Sequence, residues 1–71
     1  MDIQEKISAN IRTEILSCGK TRREIAEALG VSCPTVSQYV SGRIQPSLAT
    51  FAKLCAFLGV SADELLGLDG R

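Results

Sequence analysis

An all-α fold, a compact five-helix bundle, is predicted for this sequence from three observations. Apolar residues recur at spacings of three and four along the chain, and no segment shows the strict alternation of a strand. Glycines stand at the ends of these periodic segments, where helices commonly terminate. The connecting segments are only a few residues long, so we expect residues 1–71 to form one domain with a single core.

An isoleucine stripe and a capping box predict the first two helices. Isoleucines at every fourth position form the apolar side of an amphipathic helix that ends at Gly19. We expect all of them to lie in the core: Ile3, Ile7, Ile11 and Ile15. Thr21 and Glu24 have the spacing of a capping box, in which each side chain bonds the backbone N–H of the other residue. They begin a second helix, which ends at Gly30.

Capping residues also bound the last two helices. The fourth helix begins at Ser47, after Pro46, and ends at Gly59. Its predicted buried residues are Leu48, Phe51, Ala52, Leu54, Cys55 and Leu58. Ser61 and Glu64 form a second predicted capping box, which opens a short last helix.

The composition excludes several classes of protein. An apolar fraction of 45% with 23% charged residues is ordinary for a globular domain and unlike a disordered tail. No apolar run approaches the roughly 18 residues of a membrane span, and the polar, periodic N-terminus is unlike a secretory signal. We therefore expect a cytoplasmic protein without a membrane partner.

Neither a metal site nor a catalytic site is predicted. The chain has no histidine, and Cys18, Cys33 and Cys55 show no CxxC spacing. We interpret Cys18 and Cys55 as small buried hydrophobic residues. The chain also has no Gly-rich phosphate loop and no nucleophile paired with a base. The sequence therefore indicates a protein that is not an enzyme and needs no cofactor.

Charge is distributed unevenly along a chain whose net charge is zero. Residues 20–53 contain five basic and two acidic side chains, and the flanking segments carry the compensating negative charge. Phosphate neutralisation dominates the affinity of proteins for nucleic acids, so a net charge of zero argues against a nucleic-acid partner. The basic residues in the centre of the chain argue for one. The central stretch is where such a contact is expected.

Residues 22–41 have the pattern of two short helices joined by a tight turn. Ala26 is small where the two helices cross closely, and Gly30 supplies the positive φ that the turn needs. Apolar residues at fixed offsets form the shared seam: Ile25, Leu29, Val31, Val36 and Tyr39. Ser32 is a good N-cap for the third helix, and Pro34 is tolerated in its first turn.

The outward face of the third helix carries no charge. It consists of Cys33, Pro34, Ser37, Gln38 and Ser41. The stretch TRREIAEALGVSCPTVSQYVSGRIQPSL, followed by FAKLCAFLGVSADELL, resembles the helix-turn-helix domain of the phage repressor and Cro (xenobiotic-response-element, XRE) family. The resemblance covers about residues 7–67. It implies a lambda-repressor-like DNA-binding domain whose third helix enters the major groove of double-stranded DNA.

The resemblance also implies which side chains contact DNA. Base contacts are expected at Ser32, Cys33, Pro34, Ser37 and Gln38. Phosphate contacts are expected from Thr21, Arg22, Arg43, Gln45 and Ser47. An uncharged face fits this role, because short hydrogen-bonding and apolar groups read base edges while basic residues beside them anchor phosphates. Gln38 is the main candidate for a specific contact, since an amide can pair with adenine.

Two positions depart from the pattern of that family. Where many members begin the third helix with glutamine or arginine, this chain has Cys33 and Pro34, which can touch a thymine methyl group. Where many members pair an arginine late in the first helix with a glutamate two residues before the loop glycine, it has Ile15 and Val40. Replacing both partners leaves no buried charge alone, so we predict that Ile15 and Val40 are in contact.

The functional hypothesis from the sequence is a sequence-specific DNA-binding transcriptional regulator that acts as a repressor. One domain of this size contacts few base pairs, so we expect a homodimer on a palindromic operator with half-sites about 34 Å apart. The self-association surface is expected within residues 62–71, around Leu65, Leu66 and Leu68.

Two other interpretations stay open. The antitoxin of a toxin–antitoxin pair would use the same domain for DNA and another surface for a protein partner. A protein-interaction module would keep the fold without binding DNA, but it would have no reason to place Arg22, Arg23 and Arg43 around the third helix. The chain ends where larger repressors begin a linker, so it is also open whether it belongs to a longer protein.

Overall fold

The structure, a computed structural model, describes residues 2–68 and contains five helices in the predicted order. They are α1 (Ile3–Ser17), α2 (Arg22–Leu29), α3 (Cys33–Ser41), α4 (Leu48–Leu58) and α5 (Ala62–Leu66). No strand occurs among these residues, so the all-α prediction is confirmed. None of the helices in the described part is long and apolar enough to cross a membrane.

Side-chain caps start helices α2 to α5 where the sequence predicted them. Thr21 and Glu24 form the expected box at α2, with the N–H of Thr21 donating to the Glu24 carboxylate at 2.9 Å and the N–H of Glu24 donating to the Thr21 hydroxyl at 3.0 Å. Ser61 and Glu64 make the equivalent pair at α5. Each pair satisfies two N–H groups that a helix start leaves without a partner.

A single apolar core lies between the helices, and every helix contributes to it. Its buried members are Ile11, Ile15, Ile25, Ala26, Leu29, Val36, Tyr39, Leu54, Cys55 and Leu65. No polar or charged residue is buried in the described part of the chain. Helix α3 packs on α1 and α2, α2 also packs on α4, and α5 closes the bundle against α1 and α4. This arrangement supports α3 from behind and leaves its other side facing outward.

Three residues that the sequence placed in the core lie at the surface. Ile3 is 60% exposed and Leu48 is 88% exposed, although both belong to apolar stripes. Each is the first residue of its helix, and helical side chains point toward the N-terminus, so these two project past the end of the helix. Ala52 is also exposed, because it lies about 100° around α4 from Phe51, off the stripe that faces the core.

The cysteines follow the sequence interpretation in part. Cys55 is buried, and its burial raises the pKa of the thiol. Cys18 is only half-buried and packs against the edge of the core, while Cys33 is exposed. No group of side chains suited to a metal ion occurs within residues 2–68.

The predicted contact between Ile15 and Val40 agrees with the packing but is not established by it. Ile15 is buried in the core and Val40 packs against that core from α3, which lies next to α1. Direct contact between the two side chains stays a prediction.

The stripe of α1 can be tested with the same conservative change at a buried and at an exposed position. Ile11→Val removes a methyl group from a buried site and should lower the free energy of unfolding by about 0.5–1.5 kcal/mol. Ile3→Val makes the same change at an exposed site and should alter it by less than about 0.5 kcal/mol. Urea denaturation of both variants measures the difference. Equal losses at the two positions would contradict the exposure of Ile3.

The capping box of α2 makes stability depend on pH in a defined direction. The hydrogen bonds from the backbone and side chain of Thr21, with the nearby charge of Lys20, lower the pKa of Glu24 below its ordinary 4.5. A carboxylate with a lowered pKa in the folded state stabilises the fold fully above the unfolded-state pKa, and that contribution is lost as the pH falls through the folded-state pKa.

Glu24→Gln should therefore lower the free energy of unfolding at pH 7. This loss should disappear as the pH falls below 4.5, because the wild-type carboxylate is then protonated in the folded state as well. Glutamine keeps a capping side chain but not the charge, so the change isolates the titrating part of the interaction. The measurement is the free energy of unfolding at several pH values between 3 and 7. Glu27→Gln, an exposed charge loss on the same helix outside the box, is the control. This account would be refuted if the difference in the free energy of unfolding between wild type and Glu24→Gln increased as the pH is lowered.

Candidate nucleic-acid interface

The turn between α2 and α3 sets the position of α3. Gly30 ends α2 with φ +73°, and its N–H donates to the carbonyls of Ala26 and Glu27. The N–H of Val31 also donates to the Ala26 carbonyl, at 3.0 Å. Ala26 itself is buried, so α2 and α3 can approach closely on that side. These bonds fix the path of the chain from the end of α2 to Val31, two residues before α3 begins.

Helix α3 presents one face to the core and the opposite face to solvent. Val36 and Tyr39 are buried against α1 and α2. Cys33, Pro34 and Gln38 are exposed on the other side. The apolar side and the uncharged outward side of this helix are therefore confirmed for these residues, whereas Ser37, which was also predicted to face outward, is half-buried.

Ser32 caps the start of α3. Its hydroxyl oxygen accepts from the N–H of Thr35 at 3.3 Å, and the hydroxyls of Ser32 and Thr35 share a further hydrogen bond of 2.8 Å. The predicted base-contacting role of Ser32 is thus combined with a structural one, since the same oxygen that would face DNA also holds the first turn of α3.

Most of the predicted base-contacting residues lie together in one shallow groove. The groove has a volume of about 660 Å³ and is lined by Cys33, Pro34, Ser37, Gln38, Ser41 and Arg43. Four of these were predicted to touch bases and Arg43 was predicted to touch phosphate, so the structure places both kinds of candidate side by side. Ser41 is an additional lining residue, and its hydroxyl donates back to the carbonyl of Gln38 at 3.1 Å.

Backbone hydrogen bonds fix the spacing between Gln38 and Arg43. Gly42 ends α3 with φ +81°, and its N–H donates to the carbonyls of Gln38 and Tyr39. The N–H of Arg43 donates to the same Gln38 carbonyl at 3.0 Å. A candidate base reader and a candidate phosphate anchor are therefore joined through one carbonyl group.

Arg22 reaches the same region from α2. Its Nη1 donates to the hydroxyl oxygen of Ser37 at 2.7 Å, which links the first residue of α2 to the middle of α3. The two residues are 15 apart in the sequence, and the helix-turn-helix pattern that contains both does not indicate that their side chains meet. Only the packing of α2 on α3 brings them together, so sequence reasoning could place each of them at the interface but could not pair them.

The other candidate phosphate contacts lie at the starts of helices or in the loop after α3. Thr21 and Ser47 are exposed N-caps, and the Ser47 hydroxyl accepts from the N–H of Thr50 at 3.2 Å. Gln45 behaves differently, because its Nε2 donates to the carbonyl of Gln4 at 3.1 Å and to the hydroxyl of Ser8 at 3.3 Å. Its amide thus ties the loop to α1, and its phosphate contact stays a prediction.

A second groove lies beside the first. It has a volume of about 590 Å³ and separates the first half of α1 from the loop after α3. Arg43 lines both grooves, and Arg12 lines the second one. Asp2 and Glu5 place negative charge at the α1 side of the second groove. The groove beside α3 therefore has the more favourable charge for a polyanion.

Comparison with known proteins places this interface within a family. A helix-turn-helix family model matches residues 11–65, which include α2, α3 and the groove between α3 and Arg43. The transcriptional repressor RstR of the cryptic phage CTXphi from Vibrio cholerae is 34% identical over 67 residues, which cover 94% of this chain. No solved structure gives a significant match.

Two replication factor C small subunits also match. The one from Thermococcus kodakarensis is 28% identical over 64 residues, and the one from Methanocaldococcus jannaschii is 26% identical over 65 residues. The chain spans only 7% and 4% of these two proteins, and 56% of the phage repressor. The family model, by contrast, matches well over half of the chain itself. The protein therefore belongs to the XRE-type helix-turn-helix family.

Proposed function

We propose that this chain is a sequence-specific DNA-binding transcriptional regulator, that it acts as a repressor, and that it docks α3 in the major groove. The observation that carries the proposal is the groove beside α3, which is lined by half-buried Ser37 together with exposed Gln38 and Arg43. Similarity to a phage transcriptional repressor over most of the chain supports the direction of regulation. The proposal includes no catalytic step, and it places the protein in the cytoplasm with its DNA.

The proposed roles of the groove residues follow from their chemistry. Gln38 has an exposed amide that can donate and accept at once, which suits the adenine edge. Cys33 and Pro34 offer small apolar contacts of the kind that suit a thymine methyl group. Ser32 and Ser37 supply hydroxyl groups on the same side. All of these side chains are short, so α3 must lie deep in the major groove of DNA for them to reach the base edges.

The proposed anchors surround this reading surface. Arg43 follows α3, while Thr21 and Ser47 stand at the starts of α2 and α4. The first N–H groups of a helix and its dipole favour a phosphate at that end. Contacts of this type fix the register of the protein on the duplex without reading sequence. A chain with zero net charge can bind DNA in this way, because the charge that counts is local.

Selection from a randomised double-stranded DNA pool tests the proposal. Wild type should enrich a palindrome, and Gln38→Ala should relax one base position by about 1–3 kcal/mol of discrimination. Arg43→Ala should weaken all sequences alike and reduce the slope of log affinity against log salt by about 0.9. Lys6→Ala is the control and should change neither the base preference nor the salt slope. It removes a positive charge from a side chain that lies against Gly67, at the end of α5.

Weak binding without a motif, unaffected by Gln38→Ala or Arg43→Ala, would refute the regulator proposal. It would leave the interpretation of a protein-interaction module that keeps the fold without binding DNA.

A homodimer is the second part of the proposal. A single α3 contacts few base pairs, so two copies on a two-fold site, with half-sites about 34 Å apart, would give the required specificity. Within the last segment Leu65 is buried in the core and Leu66 is half-buried, so Leu68, which is 64% exposed, is the available apolar contact. Residues 69–71 of the proposed surface lie outside the described part of the chain.

Analytical ultracentrifugation tests the dimer. Wild type should sediment as a dimer, and Leu68→Ser should shift it toward monomer without affecting the fold, since Leu68 is exposed. Leu16→Ser removes a leucine on α1 that is 59% exposed and is the matched control. Monomer alone, with and without DNA, would count against self-association.

The antitoxin interpretation is a second candidate function, favoured by one observation. Ile3 and Leu16 are exposed apolar residues on α1, away from the groove beside α3. They lie 13 residues apart, near the two ends of α1, so each is a separate apolar point available to a protein partner. If wild type binds its DNA motif as a monomer, these residues become the first place to look for a protein partner.

A further inference from the structure

Arg22 is exposed, but a hydrogen bond holds its side chain against α3 at the edge of the groove. The hydrogen bond from its Nη1 to the Ser37 hydroxyl oxygen is 2.7 Å long, at the short end for a charged donor. Ser37 lines the groove together with Cys33, Pro34 and Gln38. The guanidinium group therefore lies beside the residues expected to face base edges, although the family resemblance implies a phosphate contact for Arg22.

Local helix stability does not explain an arginine at this position. Arg22 is the first residue of α2, where a positive charge opposes the helix dipole. The carboxylate of Glu24 in the same turn accepts from the N–H of Thr21. The guanidinium bonds instead to Ser37 on the neighbouring helix. The orientation of Arg22 thus follows from α3 and not from its own helix.

The guanidinium group of Arg22 offers donors only, and the Ser37 hydroxyl can add one more donor. A guanidinium group has five N–H donors and no acceptor, and the bond to Ser37 uses one of them. The Ser37 oxygen accepts that bond, so its own hydrogen is free to be donated. Guanine is the base whose major-groove edge offers two adjacent acceptors, O6 and N7, which match two parallel N–H donors of a planar guanidinium group.

We propose that Arg22 reads a guanine in the major groove and that Ser37 is the residue that positions it. This inference rests on the proposed function, and it assigns Arg22 to base recognition instead of phosphate anchoring. Arg22 makes the bidentate contact with O6 and N7. Ser37 holds the guanidinium plane against α3. The guanidinium group then enters the DNA major groove together with α3 and does not turn toward the phosphate backbone of the DNA.

The test measures preference at single base positions for Arg22→Lys and Ser37→Ala. Lysine keeps the charge but lacks the planar fork, and alanine removes the hydroxyl that orients it. Each variant is selected against the randomised pool and then titrated on the best wild-type site and its single-base variants. Arg23→Lys, the neighbouring exposed arginine on α2, is the matched control.

Both variants should lose preference for guanine at the same position, by about 5- to 150-fold. The salt dependence should stay that of wild type, because neither change removes a charge. The double variant should lose no more than Arg22→Lys alone, since Ser37 acts through Arg22. Circular dichroism spectra that match the wild-type spectrum exclude a folding defect, and Arg23→Lys should keep every preference.

Three outcomes would overturn the assignment in distinguishable ways. If Arg22→Lys keeps every preference, and Arg22→Gln weakens all sequences alike with a smaller salt slope, Arg22 is a phosphate anchor. If Arg22→Lys alone loses the guanine preference, Ser37 does not position it. If wild type enriches no motif, the proposed function fails, and the assignment of Arg22 fails with it.

Discussion

The close packing of α2 on α3, made possible by the turn at Gly30, is the constraint on which the rest of the structure depends. Gly30 has φ +73°, and a Cβ added there would meet no atom within 4 Å. The requirement for glycine is therefore conformational, since an L side chain resists that backbone angle even where space is available. Ala26, whose carbonyl the turn uses, keeps the helix-to-helix distance short. Every candidate contact with DNA depends on this geometry.

An apolar core without buried charge allows the charged side chains to act at the surface. The buried residues of the described part are all hydrophobic, and Ile15 and Val40 occupy the positions at which the family resemblance implies an arginine–glutamate pair. Replacing a buried ion pair by apolar residues is often neutral or stabilising, because the charges need not be taken out of water. The basic residues of α2 and the α3–α4 loop are thus available for a partner. A net charge of zero is compatible with a local anionic target.

The candidate interface is one connected unit made of three chain segments. Arg22 from α2 bonds to Ser37 on α3, and the Gln38 carbonyl accepts from the backbone of Arg43 in the following loop. The backbone positions that carry the candidate base-reading and phosphate-holding side chains are therefore fixed relative to one another before DNA binds. Preorganisation of this kind reduces the entropy lost on binding. It also means that a change at one member, such as Ser37, alters what a member on another helix can contact.

The sequence by itself determined the five helices, the capping residues that start α2 to α5, the turn at Gly30 and the uncharged face of α3. These features depend on residues within a few positions of one another, so periodicity and capping patterns report them directly. The tertiary structure decided that Ile3 and Leu48 are exposed, that Gln45 bonds to α1, and that Arg22 bonds to Ser37. Periodicity identifies the apolar side of a helix but not where the helix projects past its neighbours. The two hydrogen bonds join residues 41 and 15 positions apart, so they exist only once the helices have packed.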